Sequence, residues 1–247
     1  LEIVQYYCTD WDFILSRAET LGLLVVVDDG AIALREIKLS GQPKYTFTYG
    51  ISEIYNFAME ADGAHQYAQV QSRGWDMKKQ AIATTKGKEV ALSQGNLRGD
   101  SVAKAIGFAP FKQASPVPLA PQELQAWADA TTMRSRMSLI RGRVAIAGVA
   151  DIKPMDVVKM AGMGKRFNGS ALVTGVRHRV DQHGWQTDVQ VGLPSEPFST
   201  QADIVDAPAA GLLPRPDEAC ATDETHPLCH GLIRVLDDNH QAVGAWD

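Results

Sequence analysis

Cysteine is scarce in this chain. There are three in 247 residues, Cys8, Cys220 and Cys229, and an odd, small number supplies no disulfide framework and suits a reducing compartment. Long hydrophobic runs are missing as well. The longest, Leu23 to Val27, is of strand length, far short of the ~18–20 residues that span a bilayer as a helix. There is no basic segment followed by an apolar stretch and a cleavage site, as a secretory leader would have. The chain starts at Leu1 and not at Met, so a fragment or a processed form is expected. A positive net charge is lacking too: the formal value is −5, which argues against a nucleic-acid-binding protein.

What is there is ordinary globular material, 45% hydrophobic and 21% charged. A chain this long buries roughly 70–75% of its unfolded surface without metal or disulfide help, as one large domain or two ordinary ones. Charge is unevenly spread. Residues 1–200 hold 22 basic and 20 acidic side chains, whereas residues 201–247 hold 2 and 9. The acidity belongs to a Pro- and Ala-rich stretch that reads as linker or tail.

Patterning predicts a mainly β chain with two helices. Thr9 fits an N-cap, with Asp12 three residues on, and Trp11, Ile14, Ala18 and Leu21 recur at helical spacing before Gly22. Two apolar runs joined by Asp28-Asp29-Gly30 read as a hairpin. Residues 44–86 read as further strands, one closing at Trp75-Asp76, and residues 86–120 as a long loop with a short helix near Val102–Ile106. Pro121 fits the first position of a second helix over 121–137, with Leu124, Trp127, Ala128 and Thr131 on one face. After it the period changes to 2. Val144 and Ile146 share one side of a strand, and Leu172, Thr174, Val176, His178 and Val180 one side of the next. Trp185, Thr187, Val189 and Val191 share a side of a third, with Asp181 to Gly184 as the turn. That alternation is the signature of a small antiparallel barrel or sandwich, and if Trp185 is core its truncation to Ala costs ~3–5 kcal/mol.

Candidate chemistry is sparse. The stretch Gly162 to Gly169 has glycines and Lys165, but Arg166 follows the lysine and strand residues follow the loop, so it fails as a phosphate loop and reads as a tight β-turn. Cys220, His226, Cys229 and His230 are the one metal-like grouping, with four ligands but not the spacing of a standard finger. Cys8 reads as an inert thiol, His178 as a packing or interface residue, and the pairs Asp28/Asp29 and Asp237/Asp238 as turn chemistry. The basic run Arg134, Arg136, Arg141 and Arg143 reads as a solvated helix end and strand face, or as a charged contact with a partner. No catalytic residues and no cofactor are assigned.

Three stretches resemble one family. The first is Val4 to Ile14, carrying Trp11 and Asp12, with the hairpin after Gly22. The second is Gln71 to Asp76, ending in Trp75-Asp76. The third runs from Ile140-Arg141-Gly142-Arg143-Val144 through Ile152-Lys153-Pro154, Gly162, Gly164, Phe167 and Gly169, and Val173 to His178. It closes with Gly184 to Leu193, including Trp185 and Gly192. Together they resemble the VgrG and Rhs-associated spike proteins and phage late-control protein D over about residues 3–198. The resemblance implies a baseplate-hub fold of small β-barrels with an α+β insertion. On it, residues 1–120 are a helix, hairpin and first barrel lacking its N-terminal part. Residues 121–200 are a helix and second barrel, and residues 201–247 an unassigned tail.

The resemblance further implies a structural protein and not an enzyme: a homotrimer that joins a hexameric tail-tube protein to a puncturing spike in a phage tail, a type VI secretion system or another contractile injection system. Its other partners would be a spike tip or effector cargo. It would have no nucleic-acid partner and would meet the target membrane only by mechanical puncture. It would be assembled in the bacterial cytoplasm or virion tail and delivered outside the cell on contraction. Met155 stands where the family pattern has Gly, and Pro194-Ser195 follow Leu193 in an altered order. The alternative from residue chemistry alone is a metal-binding or enzymatic module with zinc at Cys220, His226, Cys229 and His230.

Overall fold

A computed structural model describes residues 3–5, 8–39, 41–90, 93–182, 184–201, 233–236 and 242–246. It divides into two compact units, Trp11–Asp203 and Leu1–Asp10 with Ile204–Asp247.

In the larger unit, helix α1 (Asp10–Thr20) follows Thr9 directly, and Gly22, at φ 73°, turns the chain out of it. Strands β1 (Leu23–Asp28) and β2 (Ala31–Glu36) pair antiparallel with Asp28 opposite Ala31. The two loop residues, Asp29 and Gly30, both have positive φ, which the Asp-Gly pair announces. Strands β3 (Tyr45–Thr48) and β4 (Ile54–Ala61) follow. Then come β5 (Val70–Asp76), β6 (Ala81–Lys86) and the short pair β7 (Ser93–Gln94) and β8 (Leu97–Arg98).

The expected short helix is α2 (Gly99–Ile106). The rest of the expected loop is not all loop: β9 (Phe111–Ala114) pairs parallel with β5. Phe-Lys-Gln-Ala has little strand character of its own, and its conformation comes from the tertiary pairing. Helix α3 (Pro121–Met137) starts at the proline, with the Glu123 carboxylate accepting the Ala120 N–H at 3.2 Å. It packs on β5 and β6, against the buried face formed by Val70, Ser72 and Gly74.

Strands β10 (Ile140–Ala147), β11 (Val157–Ala161), β12 (Gly169–Asp181) and β13 (Gly184–Val191) complete the main sheet, before a single turn, α4 (Phe198–Gln201). The sheet has six strands in the order β3-β11-β12-β13-β10-β4, so it draws on both sides of residue 120. Its edge strands β3 and β4 are joined by five residues, which reach about 20 Å fully extended. A flat sheet would hold those edges about 24 Å apart, and the sheet curls into a half-barrel. Tyr49 and Phe57, from opposite ends of the strand order, meet edge to face at 5.2 Å between ring centres. The core inside the curl comprises Phe47, Val144, Ile146, Val158, Met160, Val173, Val189 and Val191, closed over by Ile152 and Met163. A second cluster joins Ile37, Met137, Leu172 and Leu193.

Strand β12 departs from simple alternation. The register of β12 against β13 shifts between Val173 and Gly175, so parity flips there. Leu172 faces the second cluster, whereas Val173 and Val176 face the first. Leu172 and Val176 therefore do not share a side, and Val180 is exposed. In the smaller unit, β14 (Ile233–Leu236) pairs antiparallel with β15 (Ala242–Trp246), and the Gln5 amide donates to the Cys8 carbonyl and the Asp10 carboxylate.

Candidate functional site

Among the described residues, the family-motif residues Trp11, Asp12, Trp75, Asp76, Gly162, Gly164, Phe167, Gly169, Trp185 and Gly192 lie in a first helical turn, at turns and near strand ends of the larger unit. Trp11 and Asp12 sit in the first turn of α1. Asp76 closes the β5–β6 turn by accepting the N–H groups of Lys78 and Lys79 at 2.9 and 3.1 Å. Gly162, Gly164, Phe167 and Gly169 form the β11–β12 connection as a tight turn. There the Gly164 carbonyl accepts from the Phe167 and Asn168 N–H groups, and the Asn168 side chain accepts from Met163. Met163 is buried and Phe167 packs on the core, so this loop is a structural plug. Gly192, at φ 78°, passes so close to the Ile140 carbonyl and the Arg141 Cα that a Cβ would collide with both. Met155 stands at φ 77° in the same left-handed region. Its side chain packs on the second core cluster, which compensates for a backbone that glycine would adopt at less cost.

The structure settles one condition and corrects one expectation. Trp185 is not core: it is 40% exposed, because it sits at the open end of β13, past the last buried layer. It packs against Gly148, where any Cβ would overlap it, with the His178 ring edge-on at 5.8 Å. The basic run is not one solvated strip. Arg136 is buried, 2% exposed, and its guanidinium grips both Glu89 carboxylate oxygens at 2.8 Å while donating to the Tyr67 carbonyl at 3.0 Å. Arg134 pairs with Glu19 and Arg141 with Glu60. Helix periodicity carries the signal: Arg136 lies eight residues after Ala128 and twelve after Leu124, on the face that packs inward.

The polar framework that sequence reasoning missed consists of isolated buried residues. The Gln94 amide ties α3 to β10 and β12, donating to the Met137 and Ile140 carbonyls and accepting from the Leu172 N–H. Asp188 is buried on the outward face of β13. Burial alone would raise its carboxyl; the hydrogen bond from Gln186 and the guanidiniums of Arg177 and Arg143 outweigh that and hold it below the usual carboxylate range. At the tip of the first hairpin, Lys153 bridges Asp28 at 2.8 Å and Asp29 at 3.0 Å. Those carboxylates push the ammonium's pKa up, the Asp28 hydrogen bond most.

Among the described residues no group of three or more His, Cys, Asp or Glu side chains is placed to hold a metal ion. Cys220, His226, Cys229 and His230 lie outside the described residues, as do Asp237 and Asp238. Among the described residues no helix is long and apolar enough to cross a membrane. What the surface does present is apolar pairs. Val27 and Ile32 face each other across the first hairpin, 52% and 58% exposed. Trp75 and Ile82 do the same across β5–β6, 45% and 68% exposed. Tyr49, Ile51 and Tyr55 add an exposed group around the β3–β4 connection. Such pairs stabilise a sheet by being covered, and a two-stranded hairpin is marginal on its own in water.

This architecture is similar to that of solved tail proteins. The chain is similar to the tail protein from Neisseria meningitidis MC58, with a TM-score of 0.54, 14% identity, and coverage of 78% of this chain and 57% of that one. It is also similar to the 43 kDa tail protein of prophage MuSo2 from Shewanella oneidensis, with a TM-score of 0.49, 10% identity, and coverage of 81% and 55%. The chain therefore spans little more than half the length of either. Within that fold, the chain belongs to the Alg8 N-terminal domain family, whose model matches residues 1–182. No curated protein matches it.

Proposed function

We propose that this chain is a structural component of a phage-tail-like particle, and specifically part of a trimeric hub that joins a tail tube to a puncturing spike. The tail-protein fold of the Neisseria meningitidis neighbour supports the general role. The single observation that carries the finer reading is the pair of projecting sheets whose directly opposed apolar residues, Val27 with Ile32 and Trp75 with Ile82, are left open to solvent. Opposed pairs of large apolar side chains left in water are suited to being covered by a partner surface. In a closed cyclic assembly each chain would cover those of its neighbour. The resemblance of the Trp11-Asp12, Trp75-Asp76 and Gly162–Leu193 stretches to the VgrG and late-control protein D segments points to the same assembly. On this reading the role is architectural, and the spike and a hexameric tube protein are its partners in the virion tail or injection particle.

Sedimentation velocity tests it. The full chain should sediment as a trimer. Ile32→Asp and Ile82→Asp should each shift the population toward monomer while leaving the melting temperature of the monomer within about 2 °C, since both side chains are exposed and surface changes move stability little. Unaltered sedimentation of both variants would remove the interface from these sheets.

A further inference from the structure

The outward face of the main sheet carries a second surface of different chemistry. Along β13 the outward residues are Gln186, Asp188 and Gln190, because Thr187, Val189 and Val191 are buried in the core. The register places Arg179 beside Gln186 and Arg177 beside Asp188 on one flank, and Arg143 beside Gln190 on the other. Arg141 follows one step further along β10, against Gly192. Directly opposed residues point to the same side, so four guanidiniums stand at four successive outward levels. Neighbouring levels are about 6.8 Å apart along the strands, about 20 Å from first to last, and the step from Arg177 to Arg143 also crosses β13, about 10 Å sideways.

The row has a floor. A groove of about 640 Å³ runs beside Arg141 and Arg143 over Gly142, Gly192 and Ala58. One of about 250 Å³ continues beside Arg143 and Arg177 over Gly175. The two meet at Arg143 and Gln190.

The carboxylates on this face do not saturate the row. Glu60 is taken by Arg141. Asp188 is bound by Arg177 through Nε at 3.2 Å and Nη2 at 3.0 Å and by Gln186 at 2.9 Å. Arg143 reaches only to 4.0 Å from that already satisfied carboxylate. Arg179 is exposed and makes no ion pair among the described residues. Asp181 ends the row beyond Arg179.

We propose that this groove docks an extended segment of a partner protein that carries a carboxylate at every second residue. An extended strand repeats its side-chain direction every two residues, about 6.8 Å, which matches the level spacing within the Arg141–Arg143 pair and within the Arg177–Arg179 pair. Arg is the side chain whose planar fork suits carboxylates. The chain's formal net charge of −5 disfavours a nucleic acid as the occupant, which favours a peptide. This surface is distinct from the apolar pairs above and does not depend on them.

The test uses the full chain and dye-labelled peptides of alternating Glu and Val, read by fluorescence anisotropy, with the Gln-Val peptide as control. The Glu-Val peptide should bind, the Gln-Val peptide should not, and raising salt from about 50 mM to about 300 mM should weaken binding. Arg143→Ala with Arg179→Ala should weaken it by about tenfold or more, a change of about 1.4 kcal/mol. Arg179→Glu alone, at an exposed position, repeats the test should the double variant fold poorly. Equal affinity of the variants, equal affinity of the Gln-Val peptide, or no binding of the Glu-Val peptide would overturn the proposal. A single-stranded oligonucleotide that binds as tightly and is lost in the same variants would overturn it too, in favour of a general polyanion surface.

Discussion

Removing the Glu89 side chain tests whether Arg136 is a structural tie. The guanidinium is buried between α3 and the Tyr67 segment, and its charge is matched by one carboxylate through two bonds of 2.8 Å. Breaking a fully buried pair by removing one partner costs ~3–5 kcal/mol. Glu89 is itself half-exposed, so water reaches the vacated position and the Tyr67 carbonyl still accepts from the guanidinium. The expected cost of Glu89→Ala is about 2–3 kcal/mol, a fall in melting temperature of about 5–10 °C for a domain of this size. Urea unfolding followed by tryptophan fluorescence and circular dichroism reads it. In a double-mutant cycle with Arg136→Met, the double variant should be less destabilised than the sum of the singles by about 1 kcal/mol or more. A cost for Glu89→Ala within about 0.5 kcal/mol, the range of ordinary surface changes, would show that the pair ties nothing.

Three other outcomes follow from the same structure. Gly192→Ala combines a left-handed backbone, ~1–2 kcal/mol for an L side chain, with overlap on the Ile140 carbonyl; calorimetry should show a loss of about 2–4 kcal/mol. Trp185→Ala should cost about 1–2 kcal/mol, because its ring covers Gly148 from outside the core, and a loss in the ~3–5 kcal/mol range of a buried aromatic would contradict that placement. Asp188 has its folded pKa lowered. Its contribution is therefore fully present above the unfolded carboxyl value of about 3.9 and is lost as pH falls from there through the folded value. Asp188→Asn should lower stability at neutral pH and flatten the acid limb below about pH 4, and an unchanged acid limb would show that the Arg177 and Arg143 contacts do not form in solution.

Legibility followed the range of the interactions involved. Local chemistry was readable: Asp29-Gly30 marks its hairpin, Pro121 marks the start of α3, Gly22 the exit from α1, and the alternation of Thr187, Val189 and Val191 shows which face of β13 is buried. Long-range pairing was not. Nothing in Phe111–Ala114 signals a strand, since its parallel partner β5 lies some forty residues away. The bulge at Val173–Gly175 breaks a period that reads as continuous through Val180. Periodicity also fails at the ends of elements: Trp185 keeps the phase of the core-facing residues but lies past the last core layer. The docking row was invisible for the same reason. Arg141 and Arg143 read as part of a helix-end cluster with Arg134 and Arg136, and only the register of β10, β13 and β12 separates them and sets them beside Arg177 and Arg179.

The most direct test of the central claim is the native mass of the full chain by light scattering after size exclusion, over a range of concentrations. A hub component that covers its apolar hairpins against its own copies should run at about 80 kDa, three chains of 26.8 kDa. A single species at the mass of one chain at every concentration would contradict it.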